Sequence, residues 1–302
     1  MTTVLWTTSS FGAAATLERA GLAVRPNPMK RKLTEDEALA LFAEARPAGL
    51  VAGLEPLTRR VLEASRAHLK VVSRCGTGLD NVDLPAAREL GIRVFNTPDA
   101  PAPAVAELAL ALMLAALRRV AEGDRGLRAG RWERLPGGLL GARTVGVVGY
   151  GRVGRRVAAL CRAFGSTVLA HDPVPFSDAA VRAVGLEELL AEADVVTLHA
   201  AGSGRLLDAP RLARMKKGAV LVNTARGGLV DEEALAAALR SGALSGAGLD
   251  VFESEPYAGP LKDLPNAVLT PHIGSAAAEC RGRMELEAAE NLVRGLKEAG
   301  IL

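Results

Sequence analysis

The turn Gly149-Tyr150-Gly151-Arg152-Val153-Gly154 constrains this chain more than any other segment, because an apolar run, Thr144 to Val148, enters it and a helical pattern, Arg152 to Phe164, leaves it. Glycines at this spacing arise by chance in a chain with 32 of them, but a strand-to-turn-to-helix setting is what the motif needs physically. The first glycine makes the tight turn, the second lets the backbone approach a pyrophosphate, and the third lets helix and strand pack closely. The helix N-terminus then offers its free N–H groups to phosphate oxygens. A second apolar run, Thr167 to His171, ends at Asp172. An acid at that point accepts hydrogen bonds from ribose hydroxyls and repels a 2′-phosphate, which favours NAD over NADP. Gly149, Gly151, Gly154 and Asp172 therefore read as a dinucleotide site.

The fingerprint lies near the middle of 302 residues, so another folded segment precedes it, and 49% hydrophobic residues can fill two cores. Short strands are predicted at Val4–Thr7, Leu50–Gly53, Lys70–Ser73 and Arg93–Phe95, with helices at Leu17–Ala23, Glu35–Ala45, Arg59–Ser65 and Leu84–Leu90. Thr34 and Thr58 stand at N-cap positions, and Gly21 and Gly91 at C-terminal stops. After Pro98, Pro101 and Pro103, an apolar helix over Ala104–Val120 is expected to cross between domains or into a partner subunit. From Thr144 onward six strands are expected: Thr144–Val148, Thr167–His171, Val195–His199, Ala219–Asn223, Gly246–Asp250 and Ala267–Thr270. Intervening helical patterns make βαβ units. A last helix, Ala276–Lys297, is expected to return to the first domain.

Composition excludes several function classes. A net charge of +3, with Arg and Lys dispersed among acids, offers no tract for nucleic acid. The most apolar stretch, Ala104–Leu117, is interrupted by Glu107 and too short to span a bilayer, and Met1–Ser10 lacks the pattern of a signal peptide. Cys75, Cys161 and Cys280 form no metal-ligand pattern and cannot all pair, which points to free thiols in a reducing cytoplasm and no bound metal.

Three later segments each end a predicted strand and deliver a polar side chain to what should be one crevice. They are Val222-Asn223-Thr224-Ala225-Arg226-Gly227-Gly228, Gly248-Leu249-Asp250-Val251-Phe252-Glu253-Ser254-Glu255-Pro256 and Thr270-Pro271-His272-Ile273-Gly274-Ser275. Together with the glycine turn and Arg74-Cys75-Gly76-Thr77-Gly78-Leu79-Asp80-Asn81-Val82-Asp83, they resemble the D-isomer-specific 2-hydroxyacid dehydrogenases, within which the phosphoglycerate dehydrogenase group is most similar. The resemblance runs from about Gly53 to Ser275, with the motifs in the family's order. It implies an α/β fold of two domains, a Rossmann doubly wound parallel sheet inserted into a smaller flavodoxin-like α/β substrate domain. The expected boundaries are 99–276 for the dinucleotide-binding domain, and 1–98 with 277–302 for the substrate (lid) domain. The chain ends at Leu302 without the regulatory domain of some phosphoglycerate dehydrogenases, so serine feedback through one is not expected.

The resemblance further implies His272 as acid/base, Glu255 as its partner and Arg226 as anchor of the substrate carboxylate. The chemistry agrees. Reducing a 2-oxo acid requires a proton at the developing alkoxide, which an imidazole can give. A carboxylate beside the ring favours its protonated form. An Arg can hold a carboxylate bidentately and polarise the oxo group. Arg74 and the N–H groups of Gly76, Thr77 and Gly78 are implied substrate contacts. Implied cofactor contacts add Arg152, Val153, His199, Ala225, Asp250, His272 and Gly274 to the fingerprint, with Asp250 at the nicotinamide carboxamide. Plainer readings stand beside these: Glu255 as a solvated loop acid, Asp250 as a cap for its turn, Arg226 paired with Asp231, and Cys75 as packing.

Two segments depart from the family. Between His199 and Asp208 a shorter run with Gly202, Ser203 and Gly204 replaces the usual Pro- and Thr-containing one, which predicts a more open adenosine pocket. The loop Gly53-Leu54-Glu55-Pro56-Leu57-Thr58 has Glu55 where some phosphoglycerate dehydrogenases place a phosphate-binding Arg, leaving Arg74, Arg59 or Arg60 to take a phosphate. The expected partner is a small 2-hydroxy or 2-oxo acid, 3-phosphoglycerate first and glyoxylate or hydroxypyruvate next, in a cleft between the domains of a homodimer. Contacts between subunits are expected at Ala104–Val120 and Arg131-Trp132-Glu133. An NADH-sensing corepressor-like scaffold is the alternative from another class.

Overall fold

The computed structural model describes residues 2–8, 10–202 and 204–302. The chain divides into two units, Met1–Pro101 with Ser275–Leu302, and Ala102–Gly274.

In the first unit β1 (Thr2–Trp6), α1 (Ala14–Arg19), β2 (Leu22–Pro26), α2 (Glu35–Ala45), β3 (Gly49–Ala52), α3 (Arg59–Ser65), β4 (Val71–Arg74), α4 (Leu84–Glu89) and β5 (Arg93–Asn96) alternate along the chain. The strands form a parallel sheet in the order β2-β1-β3-β4-β5, the flavodoxin-like order. Local chemistry sets the helix ends. Thr34 makes a full capping box with Glu37, and the Thr58 side chain accepts the Val61 N–H. Gly21 and Gly91 are left-handed at φ +81° and +69°. The predicted helix over Leu17–Ala23 is cut short: it ends before Gly21, and Leu22–Pro26 pairs with β1 as a strand that the sequence reading missed. The C-terminal helix, Ala278–Glu298, packs on β3, β4 and β5 of this unit.

The second unit begins with α5 (Ala102–Leu117) and α6 (Val120–Arg128), followed by β6 (Thr144–Val148), α7 (Arg152–Ala163), β7 (Thr167–His171), β8 (Arg182–Ala183), α8 (Leu186–Glu192), β9 (Val195–Leu198), α9 (Ala209–Arg214), β10 (Ala219–Asn223), α10 (Glu232–Ser241), β11 (Leu244–Leu249) and β12 (Ala267–Leu269). Its seven parallel strands lie in the order β12-β11-β10-β9-β6-β7-β8, the doubly wound Rossmann arrangement with its switch point between β6 and β9. Successive residues of the central strands face opposite layers. Val145, Val147, Val195, Val220 and Val222 fill one core, and Val148, Val196, Leu198 and Leu221 the other.

One expectation is corrected here. The apolar helix predicted over Ala104–Val120 ends at Leu117, because Arg119 turns left-handed at φ 53°. Its buried face is used within the unit: α5 packs on α7, β10 and β11, with Ala106, Ala109, Leu112 and Met113 in the core. Among the described residues no helix is long and apolar enough to cross a membrane.

Candidate active site

The glycine turn joins β6 to α7 at the carboxyl edge of the second unit's sheet. Gly149 has φ +92°, and a Cβ there would lie 2.5 Å from the carbonyl carbon of His199 and the nitrogen of Ala200. A Cβ on Gly154 would sit 2.0 Å from the Gly149 carbonyl oxygen. Both glycines are thus required by close backbone packing. Gly151 differs, since a Cβ there would meet nothing within 4 Å. It is the N-cap of α7, makes no side-chain cap, and is followed by a first turn without acids. Arg152 and Val153 form that turn, whose N–H groups and dipole favour an anion.

Asp172 follows β7 and is bound to the turn: its Oδ2 accepts the Tyr150 N–H at 2.6 Å and its Oδ1 the Val174 N–H at 2.8 Å. Tyr150 also fastens the far end of this loop. Its hydroxyl donates to Asp178 at 2.6 Å, and its ring lies 4.3 Å from Phe176 with the Arg155 guanidinium 4.7 Å above it. Burial, and then the bond to Asp178, pushes the Tyr150 hydroxyl up to about 12. Sequence reading missed this staple, although Tyr150 stands inside the fingerprint.

His199 ends the strand beside the turn. Its Nε2 lies 2.9 Å from the Thr197 hydroxyl, while Nδ1 is buried without a hydrogen-bond partner among the described residues. Burial pushes the imidazole down to about 3, so the ring is neutral. The Thr224 hydroxyl, just past β10, is likewise buried and unpartnered. Such groups cost free energy unless something supplies the missing bond. Open space at Gly151, an uncapped helix start, a fixed carboxylate at Asp172 and two orphaned polar groups are together what a dinucleotide requires. The residues present fit NAD.

Past β10, Asn223 braces the turn by accepting the Ala225 N–H at 3.0 Å and donating to the Arg226 carbonyl at 2.8 Å. Arg226 Nη1 donates to the Ala225 carbonyl at 2.7 Å. Asp231, the structural partner considered for Arg226, receives Arg205 at 3.1 Å. Asp250 is 1% exposed and organises the segment that carries His272. Its Oδ1 accepts the Thr270 hydroxyl at 2.6 Å and the Ile273 N–H at 2.8 Å, and its Oδ2 the Gly274 N–H at 2.8 Å. His272 itself is left-handed, φ 53°, with its N–H donated to the Asp250 carbonyl at 2.9 Å. Its Nδ1 lies 2.8 Å from Glu255 Oε2, and Glu255 Oε1 accepts the Phe252 N–H at 3.1 Å. The two side chains are 50% and 38% exposed, which leaves the ring open to a ligand.

In the first unit, Arg74 folds back over Gly76 and donates to the Cys75 carbonyl. The Gly76 N–H donates inward to the Arg74 carbonyl at 3.0 Å, so Thr77 and Gly78 are left to serve the loop's expected anion contact. Cys75 is buried and pushed up to about 11 by that burial, a packing thiol. Glu55 does not take the place of a phosphate-binding Arg. It is 1% exposed and turned inward, where it accepts the Thr7 hydroxyl and the Gly53 N–H, and burial pushes its carboxyl up. Arg59 pairs with Glu89 at 2.7 Å and Arg60 with Asp36 at 2.9 Å. Ser203, in the shortened segment, lies outside the described residues.

Residues 110–274 match the family described as D-isomer specific 2-hydroxyacid dehydrogenase, NAD binding domain. Over 279 residues the chain is 40% identical to the hydroxypyruvate reductase of Thermotoga maritima, covering 89% of this chain and 90% of that protein. It is 44% identical over 239 residues to the D-3-phosphoglycerate dehydrogenase of Mycobacterium leprae, covering 76% of this chain but only 45% of that longer protein. The crystal structure of the TT0316 protein from Thermus thermophilus superposes with a TM-score of 0.90 at 42% identity, over 98% of this chain and 97% of that one. With a matching family domain, a relative that aligns over nearly its whole length and a site that fits the cofactor, the chain belongs to the NAD-dependent D-isomer-specific 2-hydroxyacid dehydrogenases.

Proposed function

We infer that this dehydrogenase acts on a short, unphosphorylated acid, with glyoxylate or hydroxypyruvate as its 2-oxo substrate. The observation that carries the acid/base part is the His272–Glu255 pair, 2.8 Å apart on a turn braced by Asp250. When bound, the cofactor would supply a hydride, as NADH, to the second carbon of the 2-oxo acid, or accept one, as NAD+, from the 2-hydroxy acid. In reduction, protonated His272 gives its Nε2 proton to the developing alkoxide while Glu255 holds the ring at Nδ1; in oxidation the same nitrogen takes the hydroxyl proton. Arg226 grips the carboxylate with two parallel hydrogen bonds. Gly149, Gly151, Gly154, Arg152 and Val153 hold the pyrophosphate and Asp172 the ribose. His199, Ala225, Asp250 and Gly274 line the rest of the cofactor. In this reading residues 1–98 and 277–302 form the substrate domain and 99–276 the dinucleotide-binding domain of a cytoplasmic homodimer.

The substrate choice rests on charge. Arg59 and Arg60 are held by acids on neighbouring helices, and Glu55 faces inward. The hydroxypyruvate reductase also aligns over nearly its whole length. A second reading, 3-phosphoglycerate, is favoured by Arg74, whose guanidinium lies beside Gly76 and could engage a phosphate bidentately.

NADH oxidation with hydroxypyruvate, glyoxylate, pyruvate and 3-phosphohydroxypyruvate in parallel tests the choice. The highest kcat/KM is expected for hydroxypyruvate or glyoxylate, and a clear preference for the phosphorylated acid would reverse it. His272→Ala should lower kcat by about 10²- to 10⁴-fold and leave NADH binding nearly intact. Retained turnover would remove His272 from the acid/base role.

A further inference from the structure

Arg205 lies in the shortened segment between His199 and α9, and its guanidinium forks between two acids on different loops. Nη1 reaches Asp231 Oδ2 at 3.1 Å and Nη2 reaches Glu253 Oε1 at 2.9 Å. Asp231 closes the turn that starts at Arg226, and its other oxygen caps α10 by accepting the Ala234 N–H at 3.0 Å. Glu253 stands two residues before Glu255, and its N–H donates to Glu232 at 2.7 Å. Backbone hydrogen bonds reinforce the Asp231 side of the fork. Leu206 and Leu207 donate to the Leu229 carbonyl at 2.9 and 2.8 Å, and the Asp231 N–H returns to the Leu207 carbonyl at 2.9 Å. One side chain therefore ties together the loops leaving β9, β10 and β11.

The loop after β11 is where such a tie matters. Residues 250–259 have no regular secondary structure. Within the turn, the Phe252 N–H to Glu255 bond at 3.1 Å and the stacked Phe252 and Tyr257 rings give it shape. The Gly227 backbone approaches Phe252 and Glu253 closely and the Glu253 N–H is held by Glu232, so the start of this loop rests against the Arg226 turn. The fork adds a side-chain tie from the β9 loop to the Glu253 carboxylate. The pairs of the fork are half exposed, with side-chain exposures of 43%, 24% and 53% for Arg205, Asp231 and Glu253, so they add little to stability. Geometry is a different matter, because a misplacement of about 1 Å at a reacting group can cost on the order of 100-fold in rate.

We propose that Arg205 is a positioning residue of the acid/base pair: its fork sets the Glu253–Glu255 turn at a fixed spacing from the Arg226 turn, and so holds Glu255 on His272. The inference rests on the assignment of Arg226, Glu255 and His272 given above. Arg205→Met releases the turn while keeping much of the apolar stem. Lysine cannot restore the fork, since one ammonium is a point charge that does not span two carboxylates as a guanidinium does.

The test uses the intact enzyme with its best 2-oxo acid and NADH. Arg205→Met is expected to lower kcat about tenfold or more, with the Kd for NADH within about twofold and Tm within about 3 °C of the parent. The KM for the 2-oxo acid should stay within about twofold, because Arg226 still holds the carboxylate, so the loss falls on kcat. Loss of a nearby positive charge alone would weaken binding of the acid and fall on KM instead. Glu253→Gln should reproduce the loss, the double variant should be no worse than either single one, and Arg205→Lys should recover only part. An unchanged kcat, a loss confined to KM, or losses that multiply in the double variant would each overturn the proposal. If His272→Ala retains turnover, the underlying assignment fails. If His272→Ala is inactive and Arg205→Met is normal, the positioning role alone falls.

Discussion

His199 shows how one residue can combine a structural cost with a binding capacity. Its ring is neutral because burial pushes it down to about 3 from an ordinary 6.5, and its Nδ1 has no partner among the described residues. The sign of the pH effect follows. Between about pH 6.5 and 3 the unfolded chain takes up a proton at this residue that the folded chain refuses. Stability is therefore full above pH 6.5 and declines as the pH falls toward 3. His199→Gln, which cannot be protonated, should lose less Tm than the parent on going from pH 7.5 to 5. Equal losses in thermal melts at the two pH values would show that the ring titrates freely in the folded state. Asp172 is the opposite case. Two backbone N–H groups hold its carboxylate in place before any ribose arrives, so binding need not spend entropy on ordering it.

At the scale of the element, the fingerprint separates glycines needed by the fold from a glycine needed by a ligand. A methyl at position 154 would overlap the Gly149 carbonyl at 2.0 Å, whereas one at 151 meets nothing. Gly154→Ala should cost about 1–3 kcal/mol through overpacking, lowering Tm and activity together. Gly151→Ala should leave Tm near the parent value and weaken NADH binding about tenfold or more, a split readable from a melt and a fluorescence titration. Equal effects of the two would mean that the open space is not a phosphate site. The same turn explains what could be read in advance. Its motif, the Thr34 and Thr58 caps and the alternating apolar runs are local patterns, and each had a local cause. Four features escaped. β2 is a five-residue strand hidden behind a helical run. β8 has two exposed residues and no periodicity. The Tyr150–Asp178 staple and the Arg205 fork join residues 28, 26 and 48 positions apart, and no short-range pattern reports which distant charges will meet.

At the scale of the whole molecule, the distribution of apolar surface decides where a second subunit could dock. The α5 helix buries Leu112 and Met113 in its own unit, 2% and 0% exposed, while Leu108, Leu110 and Leu114 are only partly buried and remain part of the expected contact. Beyond it, Val120, Leu127, Trp132 and Leu139 are 56%, 59%, 81% and 69% exposed. These four exposed apolar side chains, within twenty positions of one another along the chain, are the positions a second copy would cover under two-fold symmetry. An exposed Trp is also a frequent anchor of interfaces. A dimer is therefore expected by light scattering at about 10 µM, a concentration at which interfaces with Kd near 1 µM, about −8 kcal/mol, are mostly formed. Trp132→Glu combined with Leu139→Lys should give a monomer whose Tm is little changed, because neither side chain is part of a core. Fluorescence offers an independent reading of the parent protein. The chain has two Trp residues, and Trp6 is 0% exposed, so a red shift on dilution reports Trp132 leaving an interface. A parent chain that is monomeric at this concentration, with Trp132 emission already that of a solvated indole, would mean that the patch is tolerated in water rather than covered by a second copy.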